Sequence, residues 1–347
     1  MMINRRSLLT TALTLGAMKA FPGLSYAQAR PLVFATFTGS WEEAHKAVLV
    51  PAFRKANADA SIVLDPMLSV DQIAKVNAAR ANPPIDVMLH DPGPALVAIG
   101  QDLVEPYPVE KSTYYKDLIA EAQEPMGPAP FFQVVGLTYN PETIKTAPTS
   151  WADLWKPEFK GRVGLYAGTN AYTQYFIPLL ARLEGGNERN TDGAFRRLHE
   201  LAPAVPTFPA SPAELDNLIK QGEVWIAVNG SSRVYELQAA GFPTDFVHPK
   251  EGAVIFGNWF DVLKGAPHPE AAQDLVNFLI GVTAQEAFAR HVFFAPINRA
   301  TRLDPAVAAK VPYGQEQIGR MIKLDFEAMN DNVARWTERF NKEIERR

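Results

Sequence analysis

From residue 32 onward, short β-branched or aromatic runs alternate with stretches whose apolar residues recur at helical spacing. That alternation predicts strands joined by crossover helices, hence an α/β chain with mainly parallel sheets flanked by helices. Residues 32–37, 61–64 and 85–89 read as three parallel strands, the last ending at His90 and Asp91. Ser40 with Glu43, and Ser69 with Gln72, have the spacing of capping boxes that open the intervening helices, and Pro51 is expected to kink the first of these. The plan then repeats. Residues 137–140, 163–166 and 224–228 read as strands, Thr169 or Asn170 caps a helix reaching Leu183, and Ser211 with Glu214 encloses Pro212 at a favoured first helical position. Another helix is expected to open near Ser231 or Ser232. Beyond it, 253–262 is strand-like, 270–291 carries helical spacing through Leu275, Phe278, Leu279 and Phe288, and one mixed helix runs from Gln317 to the end.

The first 29 residues do not belong to this plan. Arg5 and Arg6 precede an eleven-residue apolar run, 8–18, and Ala27, Gln28 and Ala29 form a small-residue cleavage site. This is the layout of a cleavable export signal, and its twin arginines with Lys19 behind the apolar run point to the twin-arginine route and a periplasmic destination. A retained anchor would need about 20 apolar residues to span a bilayer. The 318 residues that remain are enough for two domains, because single cores stop growing at about 250–300 residues.

Charge and cysteine content narrow the class. Residues 1–29 hold three basic and no acidic side chains, so their removal takes the formal net charge from −4 to −7, which argues against nucleic acid as a partner. The chain has no cysteine, so neither disulfides nor thiolate metal sites hold it together. The six histidines, His45, His90, His199, His248, His268 and His291, show no metal-ligand spacing. There is no nucleophile elbow, and Gly185 and Gly186 followed by Asn187 lack the lysine of a phosphate loop. Neighbouring Glu42 and Glu43 point in different directions on a helix and make no acid/base couple. No cofactor, no metal and no catalytic residues are expected.

Ligands of open α/β sheets bind beyond the carboxyl ends of the strands, where helix N-termini leave backbone N–H groups unpaired. That rule selects Thr38, Trp41, His90 and Asp91 in the first unit, and Tyr166, Thr169, Asn170, Tyr172, Asn229, Ser231 and Arg233 in the second. Aromatic and neutral polar side chains dominate the set, with Arg233 as its one base, and such a lining suits a small organic molecule.

The stretch PTSWADLWKPEFKGRVGLY at 148–166 is very similar to the segment with which spermidine/putrescine-binding proteins enter their second lobe. Further matches follow in order: IDVML from Ile85, GLTYNPE from Gly136, NGSSRV from Asn229, HPKEG from His248 and APIN from Ala295. The chain thus resembles the periplasmic solute-binding proteins of ABC importers. The resemblance implies a type II, two-lobed, monomeric receptor that closes about a hinge and hands its solute to an inner-membrane permease with its ATPase. It implies crossings near Leu137 and Phe256, a first lobe of 30–136 plus 257–315, and a second of 137–256 plus 316–347. The family's polyamine binders hold ammonium groups with carboxylates after the strand equivalent to 163–166 and just after the PKEG motif. Here the first region, from Ala167 to Tyr172, has no acid, and Asn258 stands where an aspartate is expected, while Phe256 keeps an aromatic wall. The adjacent tyrosines Tyr114 and Tyr115 fall in the first lobe, not where iron-binding relatives carry theirs. A buried ammonium without a counter-charge costs several kcal/mol. The expected solute is therefore neutral, zwitterionic or anionic, with Arg233 and the helix starts near Asn170 and Ser231 as anion donors. A polyamine receptor is the alternative, if Asp91 or Asp261 compensates; an enzyme or a sensory receptor on the same scaffold is the alternative of another class.

Overall fold

The computed structural model describes residues 31–57, 61–124, 126–312 and 314–346. The export signal read at 1–29 lies outside the described residues. The strands are β1 Leu32–Thr36, β2 Ile62–Pro66, β3 Val87–His90, β4 Phe131–Tyr139, β5 Val163–Gly164, β6 Ile226–Gly230, β7 Asp245–Val247, β8 Val254–Val262, β9 Ala295–Pro296 and β10 Ile322–Lys323. They hydrogen-bond in the order β2-β1-β3-β8-β4-β6-β5, with β10 on β8 and β7 and β9 on β4. β1 pairs in parallel with β2 and β3, as the periodicity predicts, and β5 pairs in parallel with β6. The two nine-residue strands, β4 and β8, add the antiparallel pairing.

These two strands join the halves of the sheet. β8 pairs with β4 through Asn258 and then, from Trp259, with β3. β4 pairs with β8 through Val135 and from there with β6. The apolar core divides about the same strands. One buried cluster gathers Phe34, Leu89, Phe131, Phe260 and Phe288, and another gathers Leu137, Trp151, Phe176, Val228, Trp336 and Phe340. Val234 and Tyr235, although they lie between β6 and β7, pack into the first cluster.

The helices follow the predicted alternation, with local corrections. α1 Ser40–Ala44 and α2 Val50–Ala56 are separated by a π-helical turn at 45–49. Pro51 supplies no N–H and its ring crowds the carbonyl four residues back, so the distortion expected at the proline takes the form of a widened turn before it. The N-cap position of α1 falls on Gly39, one residue before the serine expected there, at φ 75°, a conformation that glycine reaches without steric cost. α3 Ser69–Ala78 likewise begins without a side-chain cap, because the Ser69 hydroxyl turns to Asp91, whose N–H it accepts at 3.1 Å. α4 is Pro92–Gly100.

In the second half, α5 Ala171–Leu183 is capped by Asn170, whose side chain accepts from the Tyr172 N–H at 2.9 Å. α6 is Asp192–Leu201 and α7 is Pro212–Lys220, the latter capped by Ser211 as its sequence predicts, while Glu214 accepts from the Ala210 N–H, one residue before the expected N-cap donor. α8 is Ser231–Ala239. The single helical run expected at 270–291 is two helices, α9 Pro269–Leu279 and α10 Val282–Val292. They break at Gly281, where a Cβ would stand 2.9 Å from the Tyr114 ring. After a short α11 Pro305–Ala308, the last helix, expected from Gln317 to the end, is also divided: α12 Gln315–Gly319 precedes β10, and only then does α13 Phe326–Phe340 begin.

The 148–166 motif has a structural role. Ser150 caps a short 3-10 turn and its hydroxyl donates to Glu251, the Trp151 indole donates to the Gly252 carbonyl at 2.9 Å, and the Lys250 N–H donates to the Thr149 carbonyl at 2.9 Å. Two of the segments that carry the sequence resemblance, TSWADLW and HPKEG, are thus tied to each other.

Candidate functional site

A cavity of about 620 Å³ opens where the ends of β2 and β3 face the start of α5 and one side of α13. Leu68 enters it from the turn after β2 with Ser69 and Val70 from the start of α3, and Asp91 enters it from the end of β3 with Pro94 and Val97 from α4. Thr169, Gln174 and Tyr175 close it from the α5 side, and Met329, Asn330 and Val333 from α13. Both halves of the chain therefore line it, at the strand ends where open α/β sheets take their ligands. Asn330 fastens the two sides by donating to the Gly93 carbonyl at 2.7 Å.

Asp91 is the ionised group of this cavity. Its carboxylate accepts from the Asn258 amide at 2.9 Å, and the Asn258 carbonyl in turn accepts from Gln133 Nε2 at 2.5 Å. A chain of donors thus runs from β4 through β8 to the carboxylate. Burial pushes the Asp91 carboxyl from 3.8 up to about 6, against the lowering pull of Asn258, His90 and Ser69. Asn258 is consequently a partner of the anion. An aspartate at the same place would put two carboxylates in contact, and one would take up a proton.

Of the residues selected from sequence, Asp91 and Thr169 line the cavity directly. Asn258 reaches it through Asp91, and Phe256 through the Tyr175 ring, 4.7 Å away between centroids. Asn170 caps the helix that forms its far wall. Trp41 is buried among Phe294, His45 and Phe131, with the Phe294 ring at 4.4 Å, and packs the core. Thr38 is exposed and outside this lining. His90 is fully buried, with Nδ1 3.1 Å from Asp261. Asp261 is therefore engaged inside the first half and does not line the cavity.

Tyr166, Tyr172, Asn229, Ser231 and Arg233 form a second, mostly buried polar group at the ends of β5 and β6. The Tyr166 hydroxyl donates to Asn229 at 2.9 Å, and a Cβ on Gly230 would meet the Tyr172 hydroxyl at 2.5 Å. Arg233, expected as an anion donor, is held by Asp216 and Glu236, so its charge is already balanced by two carboxylates. The missed lining residues are mainly apolar. For Phe326, Met329 and Val333 the three- and four-residue spacing on α13 carried the signal; for Leu68 and Val70, which flank a serine at a helix start, nothing local did.

Among the described residues no group of three or more histidine, aspartate or glutamate side chains is placed to hold a metal ion, and no helix is long and apolar enough to cross a membrane.

Comparison with known proteins gives concordant matches. Residues 49–313 match the family model for bacterial extracellular solute-binding proteins. The chain is 34% identical over 170 residues to the spermidine/putrescine-binding periplasmic protein of Escherichia coli K12, covering 46% of each chain. It is 24% identical over 230 residues to the gamma-aminobutyric acid-binding protein of Pseudomonas aeruginosa, covering 62% of this chain and 63% of that one. The match thus spans about half the length of the first of these curated relatives. A crystal structure of an ABC transporter from Clostridium perfringens superposes with a TM-score of 0.77 at 22% identity, covering 90% of this chain and 99% of that one.

Proposed function

The chain belongs to the bacterial extracellular solute-binding protein family, and on that premise we propose that it is the periplasmic receptor of an ABC uptake system. Its fold is that of the type II periplasmic-binding proteins. In this reading a small organic solute enters the cavity between the two halves and bends the chain at β4 and β8. The closed complex is then handed to a membrane permease. The strand exchanges at Val135 and Asn258 support that bend: the pairing partners change there while the strands continue, so a few backbone dihedrals absorb the motion. The lobes are proposed to divide at these strands, and the receptor to act as a monomer exported by its N-terminal signal.

The observation that carries the reading is the cavity itself, lined by both halves with one hydrogen-bonded carboxylate at its wall. A solute seated there touches residues from distant parts of the chain and stabilises the closed form. The balanced charge of Arg233 disfavours a purely anionic solute, and Asp91 favours one that presents a hydrogen-bond donor. The 34% identity to a spermidine/putrescine-binding protein supports the polyamine alternative. Thermal-shift screening against amines, amino acids and organic acids tests the receptor. A cognate solute at 100 times its Kd is expected to add about 2.7 kcal/mol of stability by mass action. Complete absence of any stabilising solute would count against a receptor role.

A further inference from the structure

The walls of the cavity differ sharply in character. Among the described residues six large apolar side chains are exposed, and three of them, Leu68, Val70 and Val97, line this one cavity. Leu68 and Val70 keep 60% and 61% of their surface in water. Single exposed apolar residues need no explanation, but a cluster of them in a concave site marks a surface kept for an apolar partner. Met329 and Val333 face the same space from α13. Polar capacity is confined to a few side chains, Asp91 and Thr169 among them with Ser69, Gln174, Tyr175 and Asn330, and among the described residues no lysine, arginine or histidine lines the cavity.

From this division we infer that the solute is an organic amine carrying a single ammonium group and a branched or aromatic apolar body. The inference rests on the receptor reading above and specifies its substrate class. The ammonium faces Asp91, where a charge-assisted hydrogen bond replaces water; Asn258 and Gln133 keep the carboxylate oriented from behind. The apolar body lies between Leu68, Val70 and Val97 on one side and Met329 and Val333 on the other. A linear di- or triamine fits this lining poorly. Its second ammonium would leave water for a wall of leucine, valine and methionine, with no second carboxylate to receive it.

Calorimetric titration of the mature protein with phenethylamine and with spermidine tests the assignment at pH 7.5. Phenethylamine is expected to bind one to one and at least about tenfold more tightly than spermidine. The double variant Leu68→Ser, Val70→Ser is expected to weaken phenethylamine about tenfold by removing apolar contact area, and Val109→Ser, at an exposed apolar position outside the cavity, to keep the wild-type affinity. All three substitutions change exposed positions, and circular dichroism melts check that each variant folds. Absence of phenethylamine binding, spermidine binding as tight or tighter, or an undiminished affinity in the double variant would each overturn the assignment. Tight spermidine binding that Asp91→Asn abolishes would overturn it while leaving the receptor in place; failure of the receptor reading is instead read from the thermal screen.

Discussion

At the scale of single residues, the binding role proposed for Asp91 carries a cost in stability. Its folded-state pKa, raised from 3.8 to about 6, means that the native protein resists ionising this group more than the unfolded chain does. The stability tied to its protonated form is full below about pH 4 and is lost as pH rises through about 6. Asp91→Asn keeps an acceptor for the Asn258 amide and removes the buried charge. We predict that it melts higher than the wild type at pH 7, by an amount on the order of 1–2 kcal/mol that shrinks towards pH 4, while amine binding falls at least about tenfold. In the wild type the same titration acts on the ligand, and amine affinity should weaken as pH drops below about 6. Melting curves and titrations across pH 4–8 check both halves; a variant less stable than wild type at pH 7 would show that the carboxylate is a net stabiliser. His45 illustrates the opposite case, a ring buried among Phe34, Trp41 and Phe288 whose pKa burial lowers to about 3, so that it stays neutral throughout this range.

At the scale of elements, α5 connects local sequence to the site. Asn170 satisfies the Tyr172 N–H and donates to the Ala210 carbonyl at 3.0 Å, so it both starts the helix and fixes the turn that holds Thr169 at the cavity. Asn170→Ala should cost about 1 kcal/mol of stability, the usual loss for an N-cap, and should weaken solute binding without abolishing it. Denaturant midpoints read the first effect and titration the second; an unchanged midpoint would mean that the cap is replaced by other partners. This cap was legible in the sequence because its chemistry is local, and so was the one at Ser211. The caps of α1 and α3 differ from the sequence reading for two different reasons: a glycine with positive φ holds the cap position of α1, and a tertiary contact with Asp91, 22 residues away, drew off the Ser69 hydroxyl. The break at Gly281 depends on Tyr114 and the strand at 322–323 depends on β8, so neither left a mark in local periodicity. For the same reason Asp91 and Thr169 were found from the rule about strand ends, whereas the apolar walls were not. Those walls exist only once α13 is laid across the ends of β2 and β3.

At the scale of the molecule, two long strands carry the chain between its halves, and the cavity sits where both contribute. Four parallel and five antiparallel pairs build the sheet and two continuous strands link its halves, so the proposed closure needs no break in either core. With a neutral amide at Asn258 and the charge of Arg233 balanced, Asp91 is, among the described residues, the one carboxylate that lines the cavity. In the proposed reading, what the receptor carries follows from one charge and one apolar surface. Mass spectrometry of the small molecule released by denaturing freshly purified protein tests this most directly. The account predicts a compound with one basic nitrogen and an apolar body; recovery of spermidine or putrescine would contradict it.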